Sequence, residues 1–163
     1  MTDVLRMFPT FVWKAELDPQ AHQRLNENIL GSLEGLRRTL PELVSGQQWQ
    51  SEQNLHELTE FCDLVYCLND SIVSVLEFLK VGQKDGEITG VWANMSPPNA
   101  AHRRHSHPNN FLSGVYFVRV HEGADIINFH DPRAQTDIIR PPVTELTAEN
   151  TDQVVIKVKN GTI

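Results

Sequence analysis

Cysteine is scarce in this chain: Cys62 and Cys67 are its whole supply. They fall five residues apart in one expected helix, which turns their side chains away from each other and makes a disulfide between them poor geometry. A disulfide-stapled secreted scaffold is thereby excluded, and two buried thiols in a reducing cytosol are the expectation. Positive charge is also short, with 14 Lys and Arg against 21 Asp and Glu and a formal net charge of −7. An acidic chain has no sequence-independent attraction for a phosphate backbone, so general nucleic-acid binding is excluded. Arg103-Arg104 is the local exception, a basic pair able to meet an anionic ligand. No charged-then-apolar leader opens the chain. No apolar run reaches the roughly 20 residues of a membrane span, and the longest, residues 72–79, is broken by Ser74 and Glu77. Internal repeats and low-complexity tracts are missing as well. What remains is a 163-residue chain that is 40% hydrophobic, enough for one soluble, cytoplasmic domain with its own core over residues 1–163.

Two helical patterns come first. Asp18-Pro19 reads as an N-cap followed by proline at the first helical position. The helix expected after it runs over residues 19–39, with Leu25, Ile29, Leu33 and Leu36 on one face and Pro41 as its stop. A polar loop is expected at 45–51. The second helix is expected over 55–80, with Leu58, Phe61, Val65, Leu68, Ile72, Val75 and Leu79 as a core stripe packed on a sheet. Gly82 and the Lys84-Asp85-Gly86 turn should close it.

Strand signals frame and follow the helices. Residues 8–17 read as an opening edge strand, given Pro9. Residues 88–95 read as a strand broken by Pro97-Pro98-Asn99. Residues 112–120 read as another, joined through a turn at Glu122-Gly123-Ala124-Asp125 to a returning strand at 126–129. A long proline-bearing loop should fill 134–150, and a last strand 154–158. Asn160-Gly161 is the strongest hairpin signal in the sequence. Helices followed by strands argue α+β, with an N-terminal unit of strand and bracing helices at 1–85 and a mainly antiparallel sheet at 86–163.

The chemistry concentrates in His102-Arg103-Arg104-His105-Ser106-His107-Pro108. In extended chain, residues i and i+2 point to the same side, and Pro108 biases His107 towards extended backbone. His105 and His107 can therefore face one metal ion together. The competing reading is a solvated polar loop flanked by two arginines.

Phe8-Pro9-Thr10, Trp92-Ala93-Asn94, His105-Ser106-His107-Pro108, Ser113-Gly114-Val115-Tyr116 and Phe129-His130-Asp131-Pro132-Arg133 occur here in that order. The chain resembles, on these motifs, a family of bacterial and phage 2-oxoglutarate/Fe(II)-dependent oxygenases, few of which have an assigned substrate. The resemblance implies a double-stranded β-helix, a cupin-like jelly roll braced by the N-terminal helices, and Fe(II) and 2-oxoglutarate as cofactors. It places the proximal metal ligands at His105 and His107, either both or one of them, where the general pattern has a His and a carboxylate. It also makes Asn94, Ser113 and Tyr116 candidates for holding 2-oxoglutarate. Arg103, Arg104 and Arg133 are candidates for contacting an anion or substrate, with pinning a turn at Asp131 the preferred role for Arg133. The distal His and the basic residue that the pattern sets after Asn160-Gly161 have no counterpart here, so the resemblance leads one to expect a barrel left incomplete at its C-terminal side.

Three functions follow as expectations. The first is a dioxygenase that hydroxylates a small-molecule or protein substrate while converting 2-oxoglutarate to succinate and CO2. The second is a non-catalytic jelly-roll module binding a metal or small acid. The third is an inactive truncated fragment. An open barrel edge would invite a homodimer.

Overall fold

In a computed structural model the described residues are 2–38, 48–82, 86–97, 100–133 and 138–163. Several expectations lie outside them: the helix stop at Pro41, the loop at 45–47, the Lys84-Asp85 turn, the Pro98-Asn99 break and residues 134–137.

Helix α1, Pro19–Arg37, begins where the sequence places it. Asp18 caps it, its Oδ1 accepting from the Gln20 backbone N–H at 2.9 Å and from that of Ala21 at 3.4 Å. Leu25, Ile29 and Leu33 are buried, while Leu36 is exposed. Helix α2, Cys62–Phe78, starts later than expected. Residues 55–61 form two short 3-10 turns, Leu55–Glu57 and Thr59–Phe61, separated by Leu58 in extended conformation (φ −88°, ψ 133°). Its C-terminus closes without glycine. Lys80 takes the left-handed conformation (φ 56°), the Val81 N–H reaches the Leu76 carbonyl at 3.0 Å and the Lys80 N–H reaches that of Glu77 at 3.2 Å. That pair of bonds is a Schellman motif built on lysine.

The core joins Leu25, Ile29 and Leu33 of α1 to Leu55, Phe61, Leu64 and Trp49. Of the expected second stripe, Phe61 and Val75 are buried and the others are half-buried, with Leu58 and Leu68 packed against this core. Leu64 and Leu76 are buried on α2 alongside Val75, and the buried start of α2 meets α1 rather than a broad sheet. Cys62 is exposed rather than buried, Cys67 is half-buried, and both are free thiols.

The sheets are small. Strand β1, Trp49–Gln50, lies where a loop was expected and pairs antiparallel with β2, Asn94–Met95. Of the strand expected at 88–95, only β2 joins a ladder, with an isolated bridge from Val91 to Asn54 before it. Strands β3, Ile126–His130, and β4, Gln153–Lys157, pair antiparallel with Ile127 opposite Ile156. The turn at 121–124 forms, with Gly123 at φ 82°, but β3 returns to β4 and not to residues 112–120. Residues 138–150 carry no strand, as expected of the long loop.

Residues 112–120 join no ladder, because their backbone groups are taken elsewhere. The Val118 carbonyl accepts from Asn26 Nδ2 at 2.7 Å, and the Val120 N–H donates to Asn160 Oδ1 at 2.8 Å. Phe117 bonds through both N–H and carbonyl to Thr162 and Gly161. The opening strand at 8–17 is likewise reduced to its end. Ala15 and Leu17 pair with Ile163 and Gly161, around one bridge from Glu16 to Thr162. The C-terminal residues therefore lie between two distant segments. The architecture is mixed helix and sheet with two-stranded antiparallel sheets, and no closed barrel forms among the described residues. No helix among them is long and apolar enough to cross a membrane.

Candidate functional site

The two histidines come together as i, i+2 geometry requires. Nε2 of His105 and Nε2 of His107 are 3.1 Å apart, and their ring centroids are 4.8 Å apart at near-perpendicular planes. His105 Nδ1 lies 2.9 Å from the Arg103 carbonyl. A carbonyl only accepts, so Nδ1 carries hydrogen and, in the neutral ring, Nε2 holds the free lone pair. His107 Nε2 then supplies the hydrogen of the Nε2–Nε2 contact. His107 is half-buried, with the Trp92 ring 5.8 Å from its own, whereas His105 is exposed. After them Pro108 and Asn109 make a tight turn, closed by the Asn110 N–H on the His107 carbonyl at 3.3 Å.

A third imidazole adjoins the pair. The His102 ring centroid is 4.8 Å from that of His105. Its Nδ1 is 3.5 Å from Gln48 Nε2, which also donates to Ser96 Oγ at 2.7 Å. The residue just before β1 and the residue just after β2 thus brace the start of the histidine loop. Among the described residues, no three His, Cys, Asp or Glu side chains converge as a metal site.

The other candidates are placed as follows. The Tyr116 hydroxyl donates to Asn26 Oδ1 on α1 at 2.6 Å, and burial pushes its pKa up to about 12. It is a latch between residues 112–120 and α1. Asn94 is exposed on β2, opposite Gln50. Ser113 is exposed, and its hydroxyl accepts weakly from Asn110 Nδ2 at 3.5 Å. Arg133 clamps its own turn: its backbone N–H and its Nε each reach Asp131 Oδ1 at 2.9 Å. The guanidinium holds the Asp131 carboxyl far below the usual carboxylate range, at about 2. Arg133 therefore serves the turn, the alternative given to it alongside anion contact. Arg103 and Arg104 are exposed on the histidine loop.

Asn26 escaped sequence reasoning, yet it is buried and satisfied by both Tyr116 and Val118. The signal was a polar residue on the apolar stripe of α1, between Leu25 and Ile29. Replacing Tyr116 by Phe leaves Asn26 Oδ1 without that donor, and should lower stability by about 1 kcal/mol, read as a shift in the urea midpoint at constant slope. The raised tyrosine pKa gives the same latch a pH dependence. Its contribution is whole below the ordinary value near 10 and fades as pH rises towards about 12.

No curated protein and no solved structure matches this chain. A family model does, over residues 90–163, the segment that begins just before Val91 and ends at Ile163. Phe8-Pro9-Thr10 stands outside it, whereas the histidine loop, residues 112–120, β3 and β4 all stand inside. The C-terminal segment that carries His105 and His107 matches the family described as "Putative 2OG-Fe(II) oxygenase".

Proposed function

We propose that the chain is an Fe(II)/2-oxoglutarate-dependent oxygenase that hydroxylates a small-molecule or protein substrate. The observation that carries this reading is the 3.1 Å separation of the two Nε2 atoms inside the matched segment. Two nitrogens each about 2.1 Å from one ion, at a right angle, lie about 3.0 Å apart. The pair thus fits two neighbouring positions on a divalent cation. The bond from His105 Nδ1–H to the Arg103 carbonyl is the outer contact that fixes a ligating imidazole with its other nitrogen free.

When bound, Fe(II) and 2-oxoglutarate supply the oxidising chemistry, in which decarboxylation to succinate is coupled to hydroxylation. The protein's own part is to hold and orient. His105 and His107 fix the ion at one side of an exposed loop, and Trp92 covers the flank of His107 from water. To ligate through Nε2, the neutral His107 ring would carry its hydrogen on Nδ1 instead, which frees the Nε2 lone pair beside that of His105. Arg103 and Arg104 place positive charge beside an acid that carries two carboxylates.

A second reading rests on a specific observation. No three side chains of the ligating kind converge as a metal site among the described residues, which suits a module that binds a metal or small acid without turnover. Anaerobic titration with Fe(II) and then 2-oxoglutarate separates the possibilities. A visible charge-transfer band on adding the keto acid, followed by succinate release under oxygen, is the expected result. The band without succinate favours the binding module, and no band removes the oxygenase reading.

We also propose a homodimer through the β3/β4 ribbon. Ile126, Val154 and Val155 are 45%, 42% and 54% exposed, and a two-stranded ribbon is marginal without further cover. Size-exclusion chromatography with light scattering should give twice the 18.5 kDa chain mass. A clean monomer at micromolar concentration would exclude the dimer.

A further inference from the structure

We propose that Asn160-Gly161 is a deamidation site which the fold holds shut, and that the reaction marks and locks the opened chain. Asn160 is the only asparagine followed by glycine in the sequence. Glycine leaves the next backbone nitrogen with no neighbouring Cβ in its way. In the reaction the Gly161 nitrogen loses its proton and attacks Asn160 Cγ. The N–Cγ bond forms, the Cγ–Nδ2 bond breaks, and ammonia leaves with the proton. Water then opens the cyclic imide at either carbonyl, giving aspartate or isoaspartate.

Exposure alone would make this site fast, because Asn160 is open to solvent. The bonds around it oppose the reaction. The Gly161 N–H that must be lost donates to the Phe117 carbonyl at 2.8 Å. Removing its proton there would set a negative nitrogen against a carbonyl oxygen, so the proton is held. The group under attack is held as well, since Asn160 Oδ1 accepts from the Val120 N–H at 2.8 Å. The Thr162 N–H reaches the Lys159 carbonyl at 3.1 Å and closes a turn. Gly161 stands in it at φ 81°, in the position that a type II turn gives to glycine. Nor can the backbone swing towards α1, because even an added Cβ on Gly161 would lie 2.6 Å from His22 Cβ. Ring closure therefore waits for residues 159–162 to leave Phe117 and Val120, and its rate follows the population of that opened state.

The product decides whether opening is reversible. Aspartate keeps the main chain and an oxygen for the Val120 N–H. Isoaspartate runs the main chain through the former side chain and adds a methylene between residues 160 and 161. The Gly161 N–H bond to Phe117 and the Gly161 carbonyl bond from Leu17 at 3.0 Å then cannot both re-form against His22.

The test incubates the full chain in mildly alkaline buffer, with and without unfolding guanidinium, and maps residue 160 by peptide mass spectrometry. Far-UV circular dichroism establishes which sample is folded. Deamidation should be at least about tenfold slower in the folded chain. Equal rates in the two samples would overturn the proposal. After removal of denaturant, size-exclusion chromatography separates refolded from unfolded chains. Isoaspartate should be confined to the unfolded fraction, while Asn160→Asp made directly should refold like the parent. Isoaspartate in the refolded fraction, at the proportion formed in denaturant, would overturn the lock. Failure of Asn160→Asp to refold would also overturn it, because the added charge and not the added methylene would then be what the turn rejects.

Discussion

His105→Ala and His107→Ala should each weaken Fe(II) binding by well over about tenfold, and each should abolish the charge-transfer band formed with 2-oxoglutarate. The reason is the geometry of the pair. The two Nε2 atoms stand 3.1 Å apart on side chains two residues from each other, so removing either leaves one imidazole on an exposed loop, with no chelate. His107→Ala should cost slightly more in specificity of geometry, because His107 is half-buried against Trp92 and provides the fixed side of the site. His105 is set instead by a local bond to the Arg103 carbonyl at 2.9 Å. Neither ring packs in the core, so both variants should unfold at the parent's urea midpoint. Anaerobic Fe(II) titration of the two variants measures the effect directly. Parent-like iron binding in both would put the metal elsewhere and return this loop to the solvated reading.

The parts of this molecule that depend on nearest neighbours could be read from the sequence. Asp18-Pro19 announced the start of α1, and the spacing of Leu25, Ile29 and Leu33 announced its buried face. The shared direction of His105 and His107 followed from extended backbone alone. What could not be read depends on partners far along the chain. Residues 112–120 have the β-branched and aromatic composition of a strand. Whether they join a ladder was decided by Asn26 and Asn160, 92 and 40 residues away from the groups they capture. Tyr116 was equally plausible as a core or a cofactor residue, and its bond to Asn26, 90 residues away, could not be read from either. The pairing of β3 with β4 rather than with the preceding segment is a choice of long-range register that propensity does not encode. Lys80 closing a helix by a glycine-type motif lay outside any residue rule, since the two backbone bonds to Leu76 and Glu77 offset the strain of its left-handed φ.

Gly161→Ala should be the most damaging glycine-to-alanine change among the described residues, costing about 2–5 kcal/mol by adding left-handed strain to overpacking. Gly161 sits at φ 81°, where a side chain is strained whatever the space. Here there is no space either, because an added Cβ would lie 2.6 Å from both Cβ and Cγ of His22 on α1. The cost spreads beyond one turn. The Gly161 carbonyl accepts from Leu17 at 3.0 Å and its N–H donates to Phe117 at 2.8 Å, so a shift of this residue loosens both segments from each other. Gly123 provides the comparison. Its φ is 82°, but nothing lies within 4 Å of an added Cβ, so Gly123→Ala should carry only the conformational part, about 1–2 kcal/mol. Urea unfolding of the two variants isolates the contact with α1 as the difference between them. Truncating His22 to Ala would not rescue Gly161→Ala, because the obstructing atoms include the His22 Cβ itself. Equal losses in the two glycine variants would mean that α1 gives way at little cost, and that the C-terminal turn does not hold the helix in register. A larger loss at Gly161 would make the contact of residues 161–163 with α1 and Phe117 the closure on which this small fold depends.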